Sequence, residues 1–179
     1  MKTILVTGSA GFIGTNLVLI LLKHSSECKV IGLDNYSSGT EENTKLCQKY
    51  ENFQFLEGQV ETFKISDKID QIYHLACVAS PPQYQADPLK TLDTCYLGTR
   101  NMLELAKKND CPILFSSTSE IYGEPLVTPQ SENYRGNTNI VGPRSCYDEG
   151  KRVAETLCYT YREMGVDVKL IRIFNPLKI

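Results

Sequence analysis

Histidine is scarce. His24 and His74 are the only two in 179 residues, which leaves little material for a histidine-based metal site or a serine–histidine triad. The seven cysteines, Cys28, Cys47, Cys77, Cys95, Cys111, Cys146 and Cys158, are odd in number, and none stands in a Cys-x-x-Cys pair. The spacing evidence for zinc or for a redox motif is therefore missing, no metal is expected, and the cysteines read as reduced, small packing residues. Long hydrophobic runs are lacking as well: the longest, residues 17–22, is far below the ~18 to 20 residues that cross a bilayer. No membrane association is expected within this chain. Residues 1–3 lead straight into an apolar segment without the zones of a signal peptide, so the expected location is cytoplasmic. Neither sign of charge dominates, because 19 basic residues face 21 acidic ones for a net charge of -2. That balance supplies no basic field, and no nucleic-acid partner is expected.

A hydrophobic fraction of 41% with 22% charged residues is ordinary for one soluble domain of ~100 to 200 residues. There is no internal repeat, low-complexity tract or linker, so one domain is expected over 1–179. Hydrophobic patterning predicts strands over 2–7, 29–33, 53–57, 71–76, 112–116 and 166–174, and helices over 12–23, 89–108 and 145–164. Residues 35–52 read as polar and turn-rich, and Ser80-Pro81-Pro82 as a break. Short, continuously apolar strands alternating with helices predict an α/β fold, a doubly wound parallel sheet covered on both faces. The connection over 117–144 is long, as functional loops often are.

Between the first strand and the first helix lies Thr7-Gly8-Ser9-Ala10-Gly11-Phe12-Ile13-Gly14. Gly8 suits a tight turn, Gly11 the approach of backbone to a pyrophosphate, and Gly14 close packing of helix on sheet. The helix N-terminus adds amide donors and a favourable dipole. Asp34 follows Gly14 by 20 residues at the end of the second strand, where a carboxylate accepts from the adenosine ribose and repels a 2′-phosphate. Strand, turn, helix, strand and acid in that order point to NAD rather than NADP. The rival readings are a P-loop, weakened because no Gly-Lys-Ser/Thr follows, and a plain turn with Asp34 capping a loop. Tyr147 and Lys151 are four apart on a predicted helix and share one face. A lysine beside a phenol favours the phenolate, and removal of hydride from an alcohol needs a base for the hydroxyl proton.

These segments, with Asp34-Asn35-Tyr36, His74-Leu75-Ala76, Ser117-Thr118-Ser119-Glu120-Ile121-Tyr122-Gly123 and Arg172-Ile173-Phe174-Asn175, resemble the extended short-chain dehydrogenase/reductases that act on nucleotide sugars as epimerases, dehydratases and decarboxylases. Ala79-Ser80-Pro81-Pro82-x-Tyr84 and the stretch from Arg144 to Arg152 resemble the branch that decarboxylates UDP-glucuronate to UDP-xylose. The resemblance implies a Rossmann-type NAD-binding domain. It assigns the cofactor to Gly8, Gly11, Phe12, Ile13, Gly14, Asp34, Asn35, Gln59, Leu75, Ala76, Tyr147 and Lys151, and catalysis to Thr118, Ser119, Glu120, Tyr147 and Lys151. Pro82, Tyr84, Arg144 and Asn175 are assigned to the sugar nucleotide. Ser119-Glu120 after Thr118 is similar to the decarboxylases, where dehydratases carry Asp-Glu. Gln59 stands where the family has an Asp for the adenine amino group, and Cys95 where it has the Asn of Asn-x-x-Gly-Thr. By the same resemblance the C-terminal substrate-binding part is absent. The expected function is then a truncated UDP-glucuronate decarboxylase; the alternatives are a silent NAD-binding homologue paired with a full-length partner, or another nucleotide-sugar epimerase or dehydratase. The helices over 89–108 and 145–164 are the expected pairing face, for a homodimer or for such a partner.

Overall fold

Alternating apolar residues in the first strands send side chains to opposite sides of one sheet, and a computed structural model, which describes residues 1–24 and 27–174, shows where each set goes. In β1 (Lys2–Thr7), Ile4 and Val6 join a cluster with Val18 and Leu22 of α1 (Phe12–His24) and Val30 of β2 (Cys28–Asp34). Leu5, Ile31 and Leu33 turn the other way into a larger cluster with Met102, Leu103, Ala106 and Ala154. The period of two places helices on both faces.

The sheet has six strands in the order β3-β2-β1-β4-β5-β6, with β3 at Phe53–Glu57, β4 at Gln71–His74, β5 at Ile113–Thr118 and β6 at Val168–Ile173. Every neighbouring pair is parallel. This is the doubly wound order that reverses direction between β1 and β4, and the crevice at that switch lies beyond the carboxyl ends of the strands. The predicted α/β fold is the observed one.

Element limits differ from the sequence expectations for local reasons. β4 stops at His74 because the Leu75 and Ala76 amides donate to the Thr7 hydroxyl at 3.2 Å each. β6 begins at Val168, since the Val166 amide is taken by the Tyr161 carbonyl at the end of the preceding helix, at 3.0 Å. The turn-rich stretch contains a short helix, α2 (Glu41–Cys47), capped by the Thr40 hydroxyl, which accepts from the Asn43 amide. Pro81 opens a helix, α3 (Pro81–Ala86), instead of breaking one, because proline at the first helical position loses no hydrogen bond. The long helix expected over 89–108 is α4 (Pro88–Asp93), a π-helical turn (Thr94–Gly98) and α5 (Thr99–Asn109) in succession. After β5 comes a 3-10 turn (Ser119–Tyr122), and α6 runs Ser145–Glu163. The intervening loop is pinned by a bridge from Gly123 to Asn137 and by Arg152, whose Nη1 donates to the Ile121 and Arg135 carbonyls at 2.8 and 3.0 Å. Among the described residues no helix is long and apolar enough to cross a membrane.

Candidate active site

The turn from β1 to α1 is shaped by two glycines. Gly8 has φ +72, the left-handed region that favours glycine, and its amide donates to the Leu33 carbonyl at 2.9 Å. A Cβ at Gly14 would overlap the Gly8 carbonyl, so the helix starts this close to the strand only without a side chain there. At Gly11 the sole heavy atom within 4 Å of a would-be Cβ is the Gly8 oxygen, at 3.3 Å, and the rest of that space is cleft. A diphosphate fits such a cradle, because the first amides of a helix have no intrahelical acceptor. Asp34 ends β2 and shapes the same corner: its Oδ2 accepts from the Ala10 amide at 2.9 Å and its Oδ1 from the Tyr36 amide at 2.8 Å. Each carboxylate oxygen keeps a further acceptor site for a ribose hydroxyl.

The cleft holds about 710 Å³ and runs from this turn across the ends of β4 and β5 to the start of α6. Gly8, Gly11, Phe12, Ile13, Gly14, Asp34, Asn35, Leu75 and Ala76 line one end. Thr118, Glu120, Arg144, Tyr147, Lys151 and Tyr84 line the other. Three of the expected site residues stand off its wall. Gln59 is exposed, and its Oε1 accepts from Asn35 Nδ2 at 2.9 Å, while its neighbours Gly58 and Val60 reach the cleft. Ser119 sits in the 3-10 turn between two lining residues, and Pro82 is exposed on α3. Asn175 lies outside the described residues.

The other end is built from β5 and α6. Lys151 is 4% exposed and its Nζ donates to the Ser116 carbonyl at 2.8 Å, 4.9 Å from the centre of the Phe115 ring and 6.0 Å from that of Tyr147. Burial acts to lower its pKa, but the Cys77 thiol and the Tyr147 phenol beside it outweigh that and hold it above the usual lysine value. Tyr147 is 5% exposed and stacks on Tyr84 with ring centres 4.9 Å apart and planes 7° from parallel. The sequence reading has Lys151 lowering the phenol. In the folded chain burial is the larger effect and pushes Tyr147 up, against the lowering by Lys151 and by a hydrogen bond with Thr118. For Tyr147 to reach the phenolate near neutral pH, a further positive charge would be needed nearby, of the kind an oxidised nicotinamide carries. Thr118 is fixed by accepting the Glu120 amide at 3.2 Å. Glu120 pairs with Arg144, which immediately precedes α6 and whose side chain is 46% exposed.

Sequence reasoning missed two groups here. Lys90 of α4 makes an ion pair with Glu61 at 3.0 Å, and the Thr94 hydroxyl donates to the same carboxylate oxygen. All three line the cleft, and nothing in their spacing announces the meeting. Cys77, just past β4, also lines the cleft and touches Cys95 of the π turn. In the sequence Cys95 stands out only as a thiol where the family has an amide. Placed together, Thr118, Tyr147 and Lys151 can take a proton from an alcohol held against β5.

Comparison with known proteins follows the same lines. UDP-glucuronic acid decarboxylase 6 of Arabidopsis thaliana is 51% identical over 173 residues, covering 96% of this chain and 50% of that protein. UDP-glucuronic acid decarboxylase 1 of Xenopus tropicalis is 50% identical over 176 residues, 97% of this chain and 41% of that protein. The chain thus spans about half the length of the curated relatives it matches. Among solved structures, UDP-glucuronic acid 4-epimerase from Bacillus cereus in complex with NAD superposes with a TM-score of 0.83 at 28% identity, covering 97% of this chain and 56% of that one. UDP-N-acetylglucosamine 4-epimerase from Methanobrevibacter ruminantium, in complex with UDP-N-acetylmuramic acid, gives 0.83 at 29% identity over 96% of this chain and 54% of that one. The family model for NAD dependent epimerases and dehydratases matches residues 4–177, a span that contains the glycine turn, Asp34 and the Tyr147–Lys151 helix, and the chain belongs to the NAD dependent epimerase/dehydratase family.

Proposed function

We propose that this chain carries the NAD site and the proton-transfer groups of a UDP-glucuronate decarboxylase. The observation that carries the reading is the juxtaposition, at one end of the cleft, of Tyr147 and Thr118 with the Glu120–Arg144 pair. The first two suit an alcohol and the second a carboxylate, and UDP-glucuronate presents both on neighbouring parts of one sugar ring. The similarity to decarboxylases from a frog and a plant supports the choice of substrate.

NAD, when bound, supplies a reversible hydride acceptor. Gly8, Gly11 and Gly14 would hold its diphosphate at the start of α1, with Phe12 and Ile13 at the same turn, and Asp34 and Asn35 its adenosine ribose. Leu75 and Ala76 would flank it at the end of β4. Tyr147 takes the proton of the sugar 4-hydroxyl while Thr118 donates a hydrogen bond to that oxygen, and Lys151 stabilises the phenolate. A sugar carrying a carbonyl at C4 has its carboxylate in the β position, so carbon dioxide leaves as the carbonyl takes up the electron pair. Arg144 attracts the carboxylate to the cleft, and Glu120, once released from Arg144, handles the proton that replaces carbon dioxide at C5. Tyr147 finally returns its proton to the 4-oxygen. Tyr84 holds the Tyr147 ring in plane. The reading extends to pairing of two copies through the segment from α4 to α5 and through α6, supported by the exposure of Leu97 in the π turn (41%) and of Val153 and Tyr159 in α6 (37% and 62%).

The test is to mix the purified chain with NAD and UDP-glucuronate and follow carbon dioxide and UDP-xylose. The expected result is NAD-dependent turnover that Tyr147→Phe reduces by ~100-fold or more while NAD still binds. NAD binding without carbon dioxide release removes decarboxylase activity from this chain, favours the silent NAD-binding homologue and leaves the cofactor site standing. Absence of NAD binding overturns both.

A further inference from the structure

The seven cysteines are not equivalent. Six, Cys28, Cys47, Cys95, Cys111, Cys146 and Cys158, are buried, and the description as small packing residues suits all of these but Cys95. Cys77 is different, because its side chain forms part of the cleft wall and its Sγ lies 3.5 Å from Cys95 Sγ. The two belong to separate elements that the fold brings together: Cys77 follows β4, and Cys95 sits in the π turn between α4 and α5. Cys95 has little freedom to retreat. It is 2% exposed, and a Cβ placed on Gly150 would stand 3.0 Å from both its Cβ and its Sγ. Gly150 thus makes the room in α6, between Tyr147 and Lys151, that lets the Cys95 sulfur face Cys77. A disulfide needs ~2.05 Å between sulfurs, so a closure of roughly 1.5 Å converts the contact into a bond, within reach of side-chain rotation on an irregular turn.

We propose that Cys77 and Cys95 form an oxidisable dithiol in the cleft wall, a modification site whose co-reactant is a small hydroperoxide and whose product is an intramolecular disulfide. The two sulfurs have distinct parts. A hydrogen bond with Cys95, helped by Lys151 and opposed by burial, brings Cys77 below the usual thiol value, and the same contact together with burial holds Cys95 well above it. Cys77, which lines the cleft where a peroxide can reach it, is the attacking sulfur, and Cys95, 2% exposed behind it, is the resolving one. The Cys77 sulfur attacks one peroxide oxygen; the S–O bond forms, the O–O bond breaks, and the departing hydroxide leaves as water with the proton Cys77 gave up. The Cys95 sulfur then attacks the Cys77 sulfenic acid; the S–S bond forms, the S–O bond breaks, and the second hydroxide takes the Cys95 proton. Two thiols lose two electrons in all, and one hydrogen peroxide becomes two waters. The buried cysteines resist the same chemistry, since burial pushes Cys47 and Cys111 up to about 11 and Cys158 up to about 12. The inference rests on this geometry alone and stands whether or not the cleft decarboxylates a sugar.

Trypsin separates the pair cleanly, because Cys77 falls in the peptide 69–90 and Cys95 in the peptide 91–100, each with a single cysteine. The reduced protein is treated with one equivalent of hydrogen peroxide, its remaining thiols are alkylated, and the digest is read by mass spectrometry. The expected product is the two peptides joined, lighter by two hydrogens than their sum and released by dithiothreitol. In Cys95→Ser no link forms, and a dimedone adduct of the sulfenic acid appears on 69–90 instead. Alkylation of both Cys77 and Cys95 as free thiols while other cysteines have been oxidised overturns the proposal. So does a disulfide that joins either one to a different cysteine. Mapping of the unmutated chain is decisive by itself if the variant does not fold.

Discussion

His74 should make the fold acid-sensitive between pH 7 and pH 5. The ring is 1% exposed and bridges two threonines: Nδ1 meets Thr7 Oγ1 at 2.8 Å and Nε2 meets Thr99 Oγ1 at 3.2 Å. Thr7 Oγ1 already accepts the Leu75 and Ala76 amides, so its own proton goes to Nδ1, and the ring donates from Nε2 to Thr99. This assignment follows from the network and needs a neutral imidazole. Burial, with a smaller push from Lys151, takes its pKa from 6.5 down to about 3. A histidine depressed in the folded state is protonated first in the unfolded chain. The stability it contributes is therefore whole above 6.5 and drains away as pH falls towards 3. Between pH 7 and pH 5 the loss works out at about 2 kcal/mol. Urea unfolding followed by circular dichroism at the two pH values, for the wild type and for His74→Asn, isolates it, since an amide donates and accepts but does not titrate. The variant is the less stable at pH 7, and the gap between the two proteins narrows by about 2 kcal/mol at pH 5. A gap of equal size at both pH values refutes the reasoning, because every other titrating group is common to the two chains.

Gly14→Ala places a Cβ on the Gly8 carbonyl, so helix and strand must separate; the expected cost is about 1 to 3 kcal/mol in thermal or urea unfolding, together with loss of NAD binding by titration, and a variant that binds NAD as the wild type does contradicts the cradle. Arg172→Lys tests a different joint. The guanidinium makes a two-pronged contact with Glu155, at 3.0 and 2.8 Å, and donates to the Tyr122 hydroxyl and the Glu132 carbonyl at 2.8 Å each; an ammonium cannot keep that fork, and a loss of about 1 to 2 kcal/mol is expected in urea unfolding, discounted for partial exposure.

What the sequence made legible was what depends on neighbours in the chain. The glycine turn is a local constraint, since Gly8 and Gly14 are dictated by the path of eight consecutive residues, and the strands announce themselves through a period of two that buries Ile4 and Val6 on one face and Leu5 on the other. Short polar helices carry no such period. α2 has only Thr44 and Cys47 buried, too few to mark a face, and Pro81 looks the same at the start of a helix as at a break. The pKa of Tyr147 was unreadable for another reason: the Lys151 charge is visible four residues away, whereas the burial that outweighs it comes from the packing of Tyr84 and the cleft wall. Glu61 and Lys90 are 29 positions apart, and only the return of the chain through α4 brings them to one cleft.

The long connection between β5 and α6 ties these two kinds of information together. Its length alone suggested function, and the fold shows how it is held: the bridge from Gly123 to Asn137 ties the loop to itself, and the Arg152 contacts with Ile121 and Arg135 tie it to α6. Arg144 at its far end is thereby delivered to Glu120 at its near end, closing a charge pair across 24 residues of sequence. The end of the cleft at the glycine turn is made of backbone and is fixed by the identity of a few glycines. The end at α6 is made of side chains whose meeting depends on that loop, and a change that loosens the loop should alter Glu120 and Arg144 together while leaving the glycine cradle unmoved.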